Sequence, residues 1–320
     1  RQTGATARQM LVNAAAVRWG VDPSECTTSE GVITSPSGET LGYGEVVNEA
    51  AQLEVPEEVK LKELKDFTII GTDARNVDID EIITGKPLFG LDYKVDGMVY
   101  AAVVRPPAFG QKLKSFNADK ARSMPGVIEV ITIGEKARKL IGENPGVAAI
   151  LGTSDKVVVI AETTWQAMKA KDAVEAEWEE ASKLESSEEH DDILTGLLDG
   201  NKFNTLRSDG NIKKAFAEAD EILERTYESP FLPHNCMEPM NFFADVSDTK
   251  VHLVGPVQTP EWKAGAVAQM LGREPAEILL EMTRQGGGFG RRLYGDFVLE
   301  VAEIADSIRK PVKVVYTRDD

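Results

Sequence analysis

Four glycines in five positions, Gly286-Gly287-Gly288-Phe289-Gly290, constrain this chain more than any other stretch. The run Ile278 to Arg284 ahead of them is rich in strand formers, and an amphipathic helix begins near Asp296 behind them. Strand, glycine turn and helix start in that order predict a βα unit. Without Cβ atoms the backbone is free to take φ > 0 and to approach a ligand closely. Unpaired N–H groups and the positive end of a helix dipole make such a turn a place for an anion. Arg291 and Arg292 follow directly and add charge and bidentate donors. A tight βα connection with two surface arginines is the plainer reading of the same residues, since glycine clusters punctuate many loops. The spacing is not GxGxxG and no Gly-Lys-Ser/Thr follows, which disfavours nucleoside triphosphate hydrolysis.

The 320 residues, 42% of them hydrophobic, are enough for two or three compact domains. A formal charge of -17 argues against nucleic acid or an anionic membrane as partner. Cys26 and Cys236 are far apart and form no CxxC, which argues against a disulfide framework or a structural zinc site. His190, His234 and His252 are the only histidines, too few for a His-rich metal site. No apolar run reaches the length of a membrane span, and no signal peptide is visible. Both ends read as cuts through a longer protein.

The pattern along the chain predicts a mixed α/β (α+β) fold in segments. Residues 1–53 form a small αβ piece: an Ala-rich helix over 4–19 closed by Gly20, a hairpin over 27–34, and a helix from Glu45 to Leu53. Residues 54–83 read as a charged, extended linker, with a short strand or anchor at Phe67 to Gly71. An α/β domain follows over 84–180, with strands at 98–105, 114–116, 127–132 and 156–161. Thr163 caps a helix to about Ala173, Glu175 to Trp178 alternates as an edge strand, and Trp165 and Trp178 are core or half-buried. The acidic stretch 181–210 reads as a solvated loop that includes His190. The last region, 211–320, has a helix at 211–219, a strand at 221–229, paired strands at 241–246 and 250–254, and a helix at 259–271. After the glycine turn comes a helix at 296–310, with Phe297, Val301, Ile304 and Ile308 on one face, and a strand at 312–316.

Two further stretches carry polar chemistry. In Pro233-His234-Asn235-Cys236-Met237-Glu238-Pro239, the His234 and Cys236 side chains are two apart, a spacing that seldom gives a nucleophile and its base. Glu238 reads as a site carboxylate or, more plainly, as one that satisfies backbone donors. Gln258 lies at a strand end, where α/β folds place ligands, although a turn residue is the simpler reading.

Several stretches together resemble a known family. Thr84 to Asp92 is similar to the start of the hammerhead domain of molybdenum hydroxylase large subunits, the xanthine dehydrogenase and aldehyde oxidase relatives; 98–107, 125–127 and 157–178 continue the likeness. Met237-Glu238-Pro239, Gln258 and Gly286 to Arg292 resemble the first part of the molybdopterin-binding domain. The Arg-Arg pair, with a piece like 1–53 ahead of the hammerhead, is most similar to the isoquinoline 1-oxidoreductase β-subunit branch. The resemblance implies a non-covalent molybdopterin, as mono- or dinucleotide, held by Gln258, Gly286, Gly287, Gly288, Phe289, Gly290, Arg291 and Arg292. Glu238 and Met237 are candidates to line the site, and no side chain here ligates the metal directly. It implies hydroxylation of an aldehyde or N-heterocycle carbon with oxygen from water, in bacterial cytoplasm or periplasm. Electrons would leave through iron–sulfur clusters on a partner subunit. Leu293 stands where purine-oxidising members carry a substrate-binding glutamate, which argues against a purine. The family's catalytic glutamate lies in a Gly-x-Gly-Glu motif that this chain lacks. So no catalytic residue is expected here, the chain alone should be inactive, and the remaining half of the subunit is a required partner. The residues by themselves leave a second reading, a non-enzymatic anion- or nucleotide-binding module.

Overall fold

The structure is a computed structural model; it describes residues 1–108, 111–141, 155–179, 186–200, 202–318 and 320. The chain forms two compact units, Arg1–Asp80 and Glu81–Asp320.

In the first unit, helix α1 (Gln2–Trp19) ends at Gly20, whose φ of 68° lets its N–H turn back to the last carbonyls. Three short antiparallel strands follow: β1 (Thr27–Ser29), β2 (Val32–Thr34) and β3 (Thr40–Gly42). Helix α2 (Tyr43–Ala50) starts where the Glu45 carboxylate accepts from the Gly42 N–H at 2.6 Å. Val12, Ala14, Ala15, Ile33, Val46 and Ala50 close a small core. The expected strand at 67–71 is absent: Leu64–Asp66 makes a single 3₁₀ turn, and the apolar side chains of Ile69 and Ile70 stay exposed.

The second unit is built on one seven-stranded mixed sheet. Its strands are β4 (Val99–Val104), β6 (Val127–Ile133), β7 (Lys156–Ala161), β9 (Asn241–Val246), β10 (Val251–Gly255), β11 (Ile278–Met282) and β12 (Val312–Val315). Their order is β11-β10-β9-β12-β4-β7-β6. β12 runs antiparallel to β9 and parallel to β4. Strands from 84–180 and from 211–320 therefore share one hydrogen-bonded sheet, which differs from the expected pair of separate domains. β12 makes the seam, because both its edges are paired. β5 (Lys112–Asn117) and β8 (Glu175–Glu179) stand apart as an antiparallel pair.

Four helices fix the faces: α3 (Glu135–Ile141), α4 (Thr164–Lys171), α7 (Pro260–Leu271) and α9 (Asp296–Ile308), with α5 (Ser187–Leu198), α6 (Ile212–Ala217) and α8 (Arg291–Tyr294) between them in sequence. Side chains alternate along β4: Val99, Ala101 and Val103 join the main core with α9, while Ala102 packs on Ala167 of α4. Phe297, Val301 and Ile304 are fully buried, as their spacing predicts.

Three expectations fail for physical reasons. The acidic stretch forms helix α5, because Ser186 and Glu189 make a reciprocal cap at its start; residues 181–185 lie outside the described residues. His190, in that helix, is half-buried edge-on to Phe231 rather than at the surface. Residues 221–229 form no strand; they are exposed throughout, with no neighbouring strand to pair with among the described residues. Trp165 is 68% exposed, lying against Lys169 rather than in a core. No helix among the described residues is long and apolar enough to cross a membrane.

Candidate functional site

The glycine loop leaves β11 and enters α8. Gly287 (φ 100°) and Gly290 (φ 93°) take left-handed conformations, and so does Phe289 (φ 50°), a strained position for a side chain of that size. Gly288 is constrained differently, by two side-chain amides that a Cβ would push aside. A Cβ there would lie 2.9 Å from Gln258 Oε1 and 3.1 Å from Gln285 Oε1.

The loop is tied to the segment after β10 at three points. Gln285 Nε2 donates to Val257 O (3.1 Å), Gly290 N donates to Gln258 Oε1 (3.2 Å), and Gln258 N donates to Arg292 O (3.2 Å). The Gln258 side-chain oxygen is engaged by Gly290 N, while the Nε2 of this exposed side chain meets no acceptor among the described residues. Among the described residues, the N–H groups of Gly287, Gly288 and Phe289 meet no acceptor. Three successive free amides beside a side-chain amide form a neutral donor cradle, suited to a ligand rich in acceptor oxygens. Phe289 is 73% exposed at its rim.

The two arginines are placed otherwise than expected. Arg291 makes a bidentate pair with Asp296 at 2.7 and 2.8 Å. Burial works against its charge, but Asp296 more than compensates and raises its pKa. Arg292 is fully buried; its guanidinium donates to the carbonyls of Gly287 (2.8 Å) and Glu238 (2.9 Å), and lies 3.4 Å from the Glu238 carboxylate. Neither guanidinium is left free for a ligand anion. The charge of the Arg-Arg pair serves the loop's own architecture.

Glu238 satisfies backbone and side-chain donors, the plainer of its two readings. It is 6% exposed and accepts from Gly286 N (2.8 Å), Leu91 N (3.3 Å) and Asn241 Nδ2 (3.0 Å). Met237 is 84% exposed, while its carbonyl is held by Arg318 at 3.2 Å. His234 and Cys236 do not meet as a pair: the Cys236 Sγ donates to Gly288 O at 3.6 Å, and no bond joins it to His234 among the described residues.

Sequence reasoning missed two residues. Arg318 grips Asn235 Oδ1 (2.6 Å) and Cys236 O (2.7 Å), from 83 and 82 positions away, and no local signal marks it. Lys313 did leave a signal, a lysine inside an apolar strand run. Its buried ammonium donates to the carbonyls of Gly90 (2.8 Å), Leu91 (3.1 Å) and Tyr93, locking that turn beneath the site. Burial pushes its pKa down to about 8, with Lys94 adding to the push and Asp92 and Glu238 opposing it.

A second polar cluster lies deeper. Arg105 forks onto Glu300 at 2.8 and 2.7 Å, Lys156 Nζ joins at 2.5 Å, and Tyr316 OH donates at 2.5 Å. Burial disfavours the Glu300 carboxylate, yet Arg105 and Lys156 hold it ionised well below the usual carboxylate range.

Residues 197–320 match the family model described as the molybdopterin cofactor-binding domain. Over its whole length the chain is 27% identical to the membrane-bound aldehyde dehydrogenase [pyrroloquinoline-quinone] of Gluconacetobacter polyoxogenes, covering 41% of it. It is 25% identical to isoquinoline 1-oxidoreductase subunit beta of Brevundimonas diminuta, again along the whole chain and over 44% of that protein. The chain thus spans less than half the length of both relatives. The crystal structure of quinoline 2-oxidoreductase from Pseudomonas putida 86 shares the fold, with a TM-score of 0.57, 20% identity, and coverage of 78% of this chain and 34% of that one.

Proposed function

We propose that the chain, whose residues 197–320 match the molybdopterin cofactor-binding domain, is part of a molybdenum hydroxylase large subunit and forms one wall of its molybdopterin site. The enzyme so built is an oxidoreductase that hydroxylates an aldehyde or N-heterocycle carbon with oxygen from water. The observation that carries this reading is the donor cradle: three amides at Gly287, Gly288 and Phe289 with no acceptor among the described residues, beside the exposed amide of Gln258. Pterin, phosphate and oxo groups all offer acceptor oxygens, so the donor set fits the cofactor. Held there, the cofactor supplies a metal centre that activates water and takes up the electrons of the substrate carbon.

In this reading, Gly286 to Gly290 would hold the cofactor in the cradle and Gln258 would donate to one of its acceptor oxygens. Phe289 shields the site rim from water. Arg291 and Arg292 act through protein contacts rather than by touching the cofactor. Met237 and Glu238 stand behind the wall. The 84–180 stretch corresponds to the hammerhead domain. The general base lies outside this chain, in the remaining part of the subunit, and the electrons leave through an iron–sulfur partner subunit. The alternative, a stand-alone anion module, loses its main support once both arginines are engaged by protein acceptors.

The test is to express the full-length subunit with its partner and measure molybdenum and pterin in the folded complex. Turnover of an aldehyde or N-heterocycle in ¹⁸O-water should label the product. A folded complex devoid of metal and pterin would overturn the assignment.

A further inference from the structure

The direction of the three free amides has a cause that can be followed bond by bond. In a trans peptide the C=O and N–H of one plane point in opposite directions, and no cis peptide occurs among the described residues. The Gly286 carbonyl accepts from Glu238 N at 3.0 Å, so the N–H of Gly287 faces away. The Gly287 carbonyl accepts from Arg292 Nε at 2.8 Å, so the N–H of Gly288 faces away. The Gly288 carbonyl accepts from Arg291 N at 2.8 Å and from the Cys236 thiol, so the N–H of Phe289 faces away. Each outward donor is set by an inward acceptor.

Glu238 and Arg292 control the first two of these planes. Glu238 and Gly286 exchange two bonds, Glu238 N to Gly286 O and Gly286 N to Glu238 Oε2. That ladder needs the close approach allowed by glycine, since a Cβ on Gly286 would collide with the Glu238 Cβ. Arg292, with no exposed surface, spans Gly287 O, Glu238 O and the Glu238 carboxylate. The other carboxylate oxygen carries the hold to Leu91 N and Asn241 Nδ2. Three separate stretches of chain, the 90–93 turn, the 238–241 segment and the glycine loop, thus meet at one buried carboxylate.

We propose that Glu238 and Arg292 are positioning residues that preset the glycine loop, aiming its amides before the cofactor arrives. The proposal rests on the cofactor reading above. It makes a chemical demand that a generic core pair would not. A glutamine at 238 has one acceptor oxygen, so either Gly286 N or the Leu91 and Asn241 donors must face an NH₂ group instead. A lysine at 292 keeps the charge but cannot span both carbonyls as a planar fork does.

The test uses the full-length subunit with its partner, as wild type, Glu238→Gln, Arg292→Lys and Arg292→Met. Three quantities are read: the thermal midpoint, amide exchange of the 283–293 peptide in complex from a cofactor-deficient host, and molybdenum and pterin content from a competent host. Loss of one hydrogen bond to a charged group predicts about tenfold faster loop exchange and about tenfold lower occupancy. Arg292→Lys should fall between wild type and Arg292→Met, while exchange in β9 and β12 stays at wild-type rates. Unchanged loop exchange in the cofactor-free variants, or occupancy within twofold of wild type, would overturn the proposal. If Glu238→Gln does not fold, the two Arg292 variants decide. If the wild-type complex itself holds no pterin, the cofactor reading fails, and the cofactor-free exchange still decides the positioning claim.

Discussion

Replacing Glu300 by glutamine takes one negative charge from a pocket that keeps Arg105 and Lys156. The Glu300 side chain is 6% exposed and that of Lys156 is 5% exposed, so water offers little compensation. Breaking a buried pair by removing one partner costs about 3–5 kcal/mol. Asp320, 3.8 Å from Arg105 Nε and paired with Lys171, shares part of the positive charge, which places the expected loss near the lower end, at about 3 kcal/mol. For a unit of this size that is a fall of roughly 6–12 °C in its thermal midpoint. The pH dependence has a definite sign. The folded-state pKa of Glu300 lies well below its unfolded value. Its contribution is therefore complete above about pH 4.3 and is lost as pH falls from there toward the folded pKa. Glu300→Gln should flatten that part of the acid limb. Urea unfolding followed by Trp fluorescence, at pH 7 and at steps below pH 4.5, measures both effects. A companion variant, Arg105→Met with Lys156→Met and Glu300→Leu, should recover most of the loss, since apolar groups of similar volume can replace a buried ionic cluster. A loss below about 1 kcal/mol for Glu300→Gln at pH 7 would refute the argument, because it would mean that the cluster is solvated as a surface pair is.

Gly288→Val should abolish cofactor loading, because its side chain would displace the Gln258 amide; normal molybdenum and pterin content in that variant would count against the cradle. Lys313 gives a pH signature of the same sign as Glu300, in a separate alkaline window. Its folded pKa of about 8 lies below the unfolded value, so the folded state releases the proton first and stability from this group rises between about pH 8 and 10.4. Lys313→Met should remove that rise in urea midpoints across the same window. Gly90→Ala would press a Cβ onto Asn241 Oδ1 and to 2.5 Å from Pro256 Cδ. It should cost about 1–3 kcal/mol by overpacking, read from the shift in urea midpoint at constant slope.

Local pattern carried the sequence reading well where the physics is local. Steps of four, three and four put Phe297, Val301 and Ile304 on the inner face of α9, and Thr163 was a correct cap for α4. The glycine cluster was legible as a βα turn. The other side of α9 was not legible. Glu300 and Glu303 look like a solvated face, yet both are buried because β4 and β6 reach that side from more than 160 residues away. Glu303 meets the Gly134 N–H ahead of α3 at 3.0 Å, a contact with no sequence signal. The arginines misled for the same reason. Whether a guanidinium faces solvent or a carbonyl depends on chain that arrives from elsewhere, here Glu238 and Asp296. The strand expected at 221–229 had suitable residues, but a strand also needs a neighbour.

The position of β12 has a consequence for how this sheet is made on the ribosome. β4, β6 and β7 emerge early and can pair among themselves, while β9, β10 and β11 emerge much later. Among the described residues the two groups are joined by β12, residues 312–315, which is synthesised after all six of the other strands in this sheet. Until then, one edge of β4 and one edge of β9 present unpaired backbone groups, the kind of edge that recruits foreign strands. Translation through residue 315 therefore works as a closing step, and a ribosome stalled before it would release two half-sheets with sticky margins. The same step brings Lys313 onto the carbonyls of the 90–93 turn, so that turn is locked only once β12 has paired.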